Sequence, residues 1–366
     1  MTTLHELHQQ GQSPWLDYIR KDLIDNGELQ TWIDKGVRGV TSNPTLFEQA
    51  IAKSDLYNAD IARLAAQGKS TVEIYDTLSI DDITRAADVL RAVYDASEGA
   101  DGFVSLEVSP ELCDDHEQTV AEGRRLWKAV NRPNLMIKVP ATPEGLLAIR
   151  QLIADGINVN VTLMFTLSDF RDVADAYMSG LEDRAAAGKD LSTVSSVASL
   201  FVSRVDSAVE AVLPAAMKSD LFGKVAIANV RCIYRDFFEV FGSARFTALK
   251  GKGARVQRPL FASTGVKSPA LPDVLYVETL IGPDTVNTMP PQTLTAFLDH
   301  GSVQRTADSH QESDDRVLAL CAQNGIDVAA IGAELKHKGL KSFADSFASL
   351  MQTIDTQRAQ ALSTKA

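Results

Sequence analysis

The sequence predicts an α/β fold of the TIM type: a parallel (β/α)8 barrel with additional helices, formed by a single domain. Three observations predict it. Eight short apolar runs, near residues 15, 38, 104, 136, 159, 195, 261 and 276, alternate with stretches of helical periodicity. No shift in composition marks a linker anywhere in residues 1–366. Finally, at least five of the runs carry a polar residue toward one end, and barrel strands deliver chemistry at their C-terminal ends.

Taken in order, the first strand is Pro14–Ile19 (PWLDYI), a short apolar run holding one carboxylate, Asp17. Helix and turn over Gly27–Gly36 lead to Val37–Ser42 (VRGVTS), which is β-branched and closed by Asn43-Pro44. Helical patterning follows from Thr45 to Ala96, broken near Gly68. Phe103–Ser109 (FVSLEVS) alternates, with Val104, Leu106 and Val108 opposite Ser105 and Glu107, and Pro110 ends it. Asp114–Val130 is an amphipathic helix. In the fourth strand, Asn134–Val139, Lys138 points away from the face carrying Ile137 and Val139. Thr142 is placed to cap a helix over Pro143–Ala154.

Ile157–Met164 (INVNVTLM) alternates most sharply, with Asn158, Asn160 and Thr162 on one side. A helix over Ser168–Ala187 precedes the sixth strand, Thr193–Ser199. The extra length suits a helical insertion at about 205–250, interrupted by Pro214 and Gly223. Pro259–Thr264 is the seventh strand and Asp273–Leu280 (DVLYVETL) the eighth. Further helices occupy about 312–362, and the chain reads as helical to Ala366.

Hydrophobic residues make up 45% and charged residues 23%, and the formal net charge is −12. That charge argues against nucleic acid or an anionic membrane as a partner of the whole surface. It leaves room for a small anionic substrate held by locally gathered cations. Cys113, Cys232 and Cys321 are far apart and odd in number, which suits a reducing, cytoplasmic setting better than a disulfide framework. No basic segment followed by an apolar one opens the chain, so no secretory signal is expected. No apolar run approaches the roughly 18 residues of a membrane span. The six histidines have no metal-ligand spacing, and no metal is expected.

The candidate chemistry centres on Lys138. Desolvation lowers the pKa of a buried amine and frees its lone pair to attack a carbonyl, so Lys138 is read as a Schiff-base nucleophile. Asp17, Thr41 with Asn43, Glu107, Asn160 with Thr162, and Ser199 can gather at the same end of a barrel. Taken singly, each has an ordinary alternative: an edge lysine, a solvated glutamate, self-satisfied core amides. Together they match what imine chemistry needs, since carbinolamine formation and dehydration require proton transfer to and from oxygen. Two carboxylates, Asp17 and Glu107, are available for two such tasks.

With GVTSNPTLF (39–47), FVSLEVSP (103–110), NLMIKVPATPEG (134–145), INVNVTLMF (157–165), SVASLFVSRVD (196–206), ASTGVKSP (262–269) and LYVETLIGPDTVNTMP (275–290), the chain resembles the transaldolase family. The resemblance implies a class I aldolase-like barrel enzyme of the pentose phosphate pathway. Its substrates would be sugar phosphates, and it would need no cofactor. In this sequence it implies that Lys138 forms the imine and that Asp17 takes the C4-hydroxyl proton. Glu107 would act through a water positioned with Thr162. Asn43 and Asn160 would hold substrate hydroxyls with Ser199 nearby, Phe201 would wall the site, and Arg204 would bind phosphate. Lys267 stands where many members carry a second phosphate-binding arginine, and a lysine lacks the bidentate fork. An aldolase that releases dihydroxyacetone and a barrel that only binds sugar phosphates are the alternatives.

Arg231, Arg235 and Arg245 read as surface ion pairs, and Arg255 and Arg258 as a solvated loop. The sequence leaves the oligomeric state open.

Overall fold

The computed structural model describes residues 1–363, so the last three positions of the expected C-terminal helix lie outside the described residues. Eight strands, β1 (Gln12–Asp17), β2 (Gly39–Thr41), β3 (Phe103–Glu107), β4 (Leu135–Pro140), β5 (Val159–Met164), β6 (Ser196–Phe201), β7 (Arg258–Ala262) and β8 (Thr285–Met289), close in sequence order into a barrel. Every neighbouring pair is parallel, including β1 with β8. Closure leaves no edge strand, so every position of β4, β5 and β6 is buried. One parity fills the barrel, and the other meets the surrounding helices.

The eighth strand is not where the sequence reading put it. Asp273–Leu280 contains a short helix, Leu275–Thr279, held down where the Tyr276 hydroxyl donates to Asp206 Oδ2 at 2.8 Å. The strand is TVNTM, which pairs with β1 from Gln12↔Thr285 to Leu16↔Met289.

The barrel's N-terminal end is tied together by side chains beside a smaller cavity of about 220 Å³. Trp15 sits so close to β2 that a Cβ on Gly39 would lie 2.5 Å from its indole. Asp101, in the turn before β3, accepts from Ser13 at 2.6 Å, Arg38 at 2.9 Å and Arg258 at 3.1 Å. Arg258 is therefore a half-buried clasp at this end, opening β7, not part of a solvated loop. Arg255 likewise donates to the carbonyls of Ser192 and Glu98. Arg231 also departs from the surface reading. It is 6% exposed, donates to the Thr279 carbonyl and pairs with Asp314 at 3.4 Å. Arg235 and Arg245 do make outer ion pairs, with Asp315 and with Glu182 and Asp175.

At the other end, the 36-residue helix Val328–Ser363 lies across the barrel and buries Gly332, Gly339, Phe343, Phe347, Leu350 and Ile354. It comes close because Gly339 has no side chain: a Cβ there would stand 2.7 Å from Leu163 Cδ2. Leu163 itself has φ +61°, at the point where the β5–β6 register shifts between Val161 and Met164. Such an irregularity bends the strand end and re-aims side chains beside it. No single helix among the described residues is long and apolar enough to cross a membrane.

Candidate active site

Lys138 occupies the middle of three adjacent strands in direct register, with Glu107 opposite it on β3 and Asn160 on β5. The lysine is 5% exposed, and its Nζ lies 3.3 Å from Glu107 Oε2. The ammonium donates to the Ser42 carbonyl at 2.9 Å, and the Phe343 ring centroid from the C-terminal helix lies 6.0 Å away. Burying a charge without partners is expensive, and this pairing supplies partners.

A cavity of about 440 Å³ opens at this end of the barrel. Asp17, Asn43, Lys138, Asn160, Thr162, Ser199, Phe201, Arg204 and Lys267 all line it. Glu107 does not, although it touches the lysine from the side. The structure thus brings the nine cavity residues and Glu107 into one neighbourhood.

Asp17 ends β1 and accepts from Thr41 Oγ1 at 2.8 Å, while Thr41 and Thr288 share a bond of 2.7 Å. Burial pushes its carboxyl above the usual carboxylate range. The Thr41 bond and the charges of Lys138, Arg204 and Lys267 offset this in part. Burial also raises Glu107, against the pull of Lys138, and the charge of Asp17 adds to the rise. Both acids are therefore biased toward holding a proton at higher pH than a free carboxyl.

On β5 and β6 the polar groups form a short relay. Ser199 donates to Asn160 Oδ1 at 2.7 Å, and Asn160 Nδ2 donates to Ser105 Oγ at 3.0 Å. The Thr162 hydroxyl is buried and has no hydrogen-bond partner among the described residues. An unsatisfied hydroxyl facing a polar cavity is a natural place to hold a water. Asn43 caps the helix Pro44–Ala52, its Oδ1 accepting from Leu46 N at 3.0 Å. That leaves its amide Nδ2 free of the cap.

Two cations line the same cavity. Arg204, in the first turn after β6, stacks its guanidinium 4.8 Å from the Phe201 ring centroid. Burial draws its pKa down, against the attraction of Asp17. Lys267 follows β7 and is exposed. An amine, two buried carboxyls, hydroxyl and amide hydrogen bonders and two cations suit carbonyl chemistry on a polyhydroxylated anion. Among the described residues no group of three His, Cys, Asp or Glu side chains is placed to hold a metal.

Several contributors escaped the sequence reading. The Ser42 carbonyl is a backbone group with no side-chain signal. Gln49, Thr288, Ser342 and Phe343 reach the cavity from a helix, an unrecognised strand and the far C-terminus. Of these only Thr288 had a local cue, since TVNTM sits between prolines at 283 and 290.

A family model described as Transaldolase/Fructose-6-phosphate aldolase matches residues 14–354. The chain is 48% identical over 359 residues to the transaldolase of Frankia alni, covering 97% of each chain. It is 47% identical over 361 residues to that of Thermobifida fusca, covering 97% of this chain and 98% of the relative. With that of Saccharopolyspora erythraea it shares 46% identity over 372 residues, covering 99% and 100%.

Proposed function

The chain belongs to the transaldolase/fructose-6-phosphate aldolase family, and on that premise we propose that it is a transaldolase of the pentose phosphate pathway, acting in the cytoplasm as one domain of residues 1–366. It moves a dihydroxyacetone unit from sedoheptulose 7-phosphate to glyceraldehyde 3-phosphate, giving erythrose 4-phosphate and fructose 6-phosphate. The 3.3 Å pairing of the buried Lys138 and Glu107 side chains at the open end of the barrel carries the reading.

Lys138 Nζ attacks the C2 carbonyl of the ketose as the neutral amine, an N–H proton passes to the carbonyl oxygen, and the resulting carbinolamine loses its hydroxyl as water. Glu107, with its carboxyl biased toward the acid, supplies the proton through a water held by the free Thr162 hydroxyl. Asp17 takes the C4-hydroxyl proton, the C3–C4 bond breaks, and its electron pair passes into the iminium to give an enamine. The first aldehyde leaves, and the acceptor aldehyde takes its place. The enamine carbon attacks the new carbonyl as Asp17 returns the proton. Hydrolysis of the second imine, with Glu107 now a base, frees the product and Lys138.

Asn43, Asn160 and Ser199 hold the donor's hydroxyls, Phe201 walls the site, and Arg204 with Lys267 takes the phosphate. Arg204 can present a planar fork to a phosphate, whereas Lys267 offers a point charge.

Transfer differs from simple cleavage in what happens without an acceptor. Fructose 6-phosphate supplied alone should release free dihydroxyacetone far more slowly than it turns over with erythrose 4-phosphate present. Fast release independent of the acceptor would make the enzyme an aldolase.

A further inference from the structure

Glu107 stands between two cavities. Lys138, 3.3 Å away, lines the barrel mouth but not the second space; Glu107 borders the second space but not the mouth. This second cavity measures about 750 Å³ and lies between the barrel wall, the helices Thr71–Ala96 and His116–Val130, and the C-terminal helix. Leu106, Tyr75 and Phe347 form apolar walls within it, and Val72 and Ala348, both exposed, belong to its outer part. Tyr75 meets Phe47 and Phe347 edge-on, at centroid separations of 6.3 and 5.3 Å, so the wall beside the glutamate is aromatic.

Three facts converge on Glu107. Its residual exposure is 9%, and among the described cavities this is the one it borders. Its Oε2 has no aligned hydrogen-bond donor among the described residues despite the nearby ammonium. The barrel mouth, in contrast, is the space a sugar phosphate must fill, beneath Phe343 of the overlying helix.

Imine chemistry makes and consumes water at this glutamate. In dehydration the Glu107 proton passes through the water held by Thr162 to the carbinolamine oxygen, the C2–O bond breaks, the nitrogen lone pair forms C=N, and water departs. In hydrolysis a water adds to C2 and yields its proton to the Glu107 carboxylate. We propose that the second cavity is the passage by which this water leaves and reaches the Lys138–Glu107 pair while the sugar occupies the barrel mouth. The proposal rests on the Schiff-base reading above. Leu106, Tyr75 and Phe347 give the passage an apolar part, where a transiting water is held by few hydrogen bonds and is not trapped, while Asp76, Glu111, Glu122 and Arg125 supply the polar part of its lining. Separating the two routes also keeps bulk water off the enamine face during transfer.

The test uses the full-length enzyme with tryptophan placed at either of two outer, exposed positions, Ala348→Trp or Val72→Trp. Fructose 6-phosphate labelled with heavy oxygen at C2 is supplied without acceptor. Loss of the label to solvent is followed by mass spectrometry, beside borohydride trapping of the imine and the melting temperature. The expected result is slower label loss by about fivefold or more in at least one variant that melts with the wild type, with imine trapping and KM nearly unchanged. Label loss at the wild-type rate in both variants would overturn the passage while leaving the imine intact. Absence of any trapped imine, in variants and wild type alike, would instead overturn the Schiff-base reading on which it stands.

Discussion

At position 107 burial and a neighbouring cation pull a carboxyl in opposite directions, and burial prevails. If the acid form drives dehydration, activity falls as pH rises through the raised pKa, because the proton donor is lost. Glu107→Gln should lower kcat by about 10²–10⁴-fold with a smaller change in KM, and should abolish that alkaline fall. A pH–rate profile of the variant that keeps the wild-type alkaline limb would assign it to another group. For the phosphate, Arg204→Ala should raise KM more than Lys267→Ala, since Arg204 is half-buried and stacked on Phe201 while Lys267 is exposed. Steady-state KM values for fructose 6-phosphate check the order, and equal effects would contradict it. Lys138, Glu107 and Asn160 were legible in the sequence because strand alternation fixes their side and parallel register fixes their level. The Ser42 carbonyl that accepts the lysine's hydrogen bond was not, since any residue supplies a carbonyl and only the fold aims it.

Among the elements, the helix Thr71–Ala96 carries an acid where none is needed for solubility. Asp82 is 2% exposed, accepts from the Tyr57 hydroxyl at 2.6 Å, and is pushed up to about 7 by burial. A carboxyl whose folded pKa lies above its unfolded value binds its proton more tightly in the folded state. Its contribution is then fully present below about pH 4 and is lost as pH rises through 7. Asp82→Asn, which keeps an acceptor for Tyr57, should raise the melting temperature clearly more at pH 8 than at pH 5. Calorimetry at the two pH values decides, and a loss of stability at pH 8 would contradict it. The eighth strand shows why element boundaries were harder to read than sites. DVLYVETL is longer and more apolar than TVNTM, yet the Tyr276–Asp206 bond and the packing of Val277 hold it as a helical turn. TVNTM carries the buried Asn287, which accepts from Thr264 at 2.8 Å, so its polarity hides a core position. Tertiary partners override local preference in both cases.

For the molecule as a whole, the two ends of the barrel divide the labour. The closed end is fastened by Asp101. Burial alone would raise its pKa, but the charge of Arg258, the Ser13 hydroxyl and Arg38 reverse this and hold it below the usual carboxylate range. That contribution is present above the ordinary carboxylate pKa and is lost as pH falls through the depressed value. Asp101→Asn leaves Arg38 and Arg258 without their counter-charge and should cost about 3–5 kcal/mol in denaturant unfolding, with activity per folded molecule kept. A change within experimental error would show the clasp to be incidental. The open end gathers two cations and an amine in one cavity on a chain of net charge −12, so anion binding here is a local arrangement and not a property of the surface. Eightfold alternation made the barrel legible from sequence. The covering role of the C-terminal helix was not, because Phe343 lies more than two hundred residues from the lysine it faces. Everything proposed about the open end turns on a covalent bond to one side chain. Borohydride reduction in the presence of fructose 6-phosphate, followed by peptide mapping, should place a three-carbon or six-carbon sugar adduct on the peptide containing Lys138, and none should form in Lys138→Ala. An unmodified Lys138 peptide, or an adduct and full activity surviving in Lys138→Ala, would contradict the account.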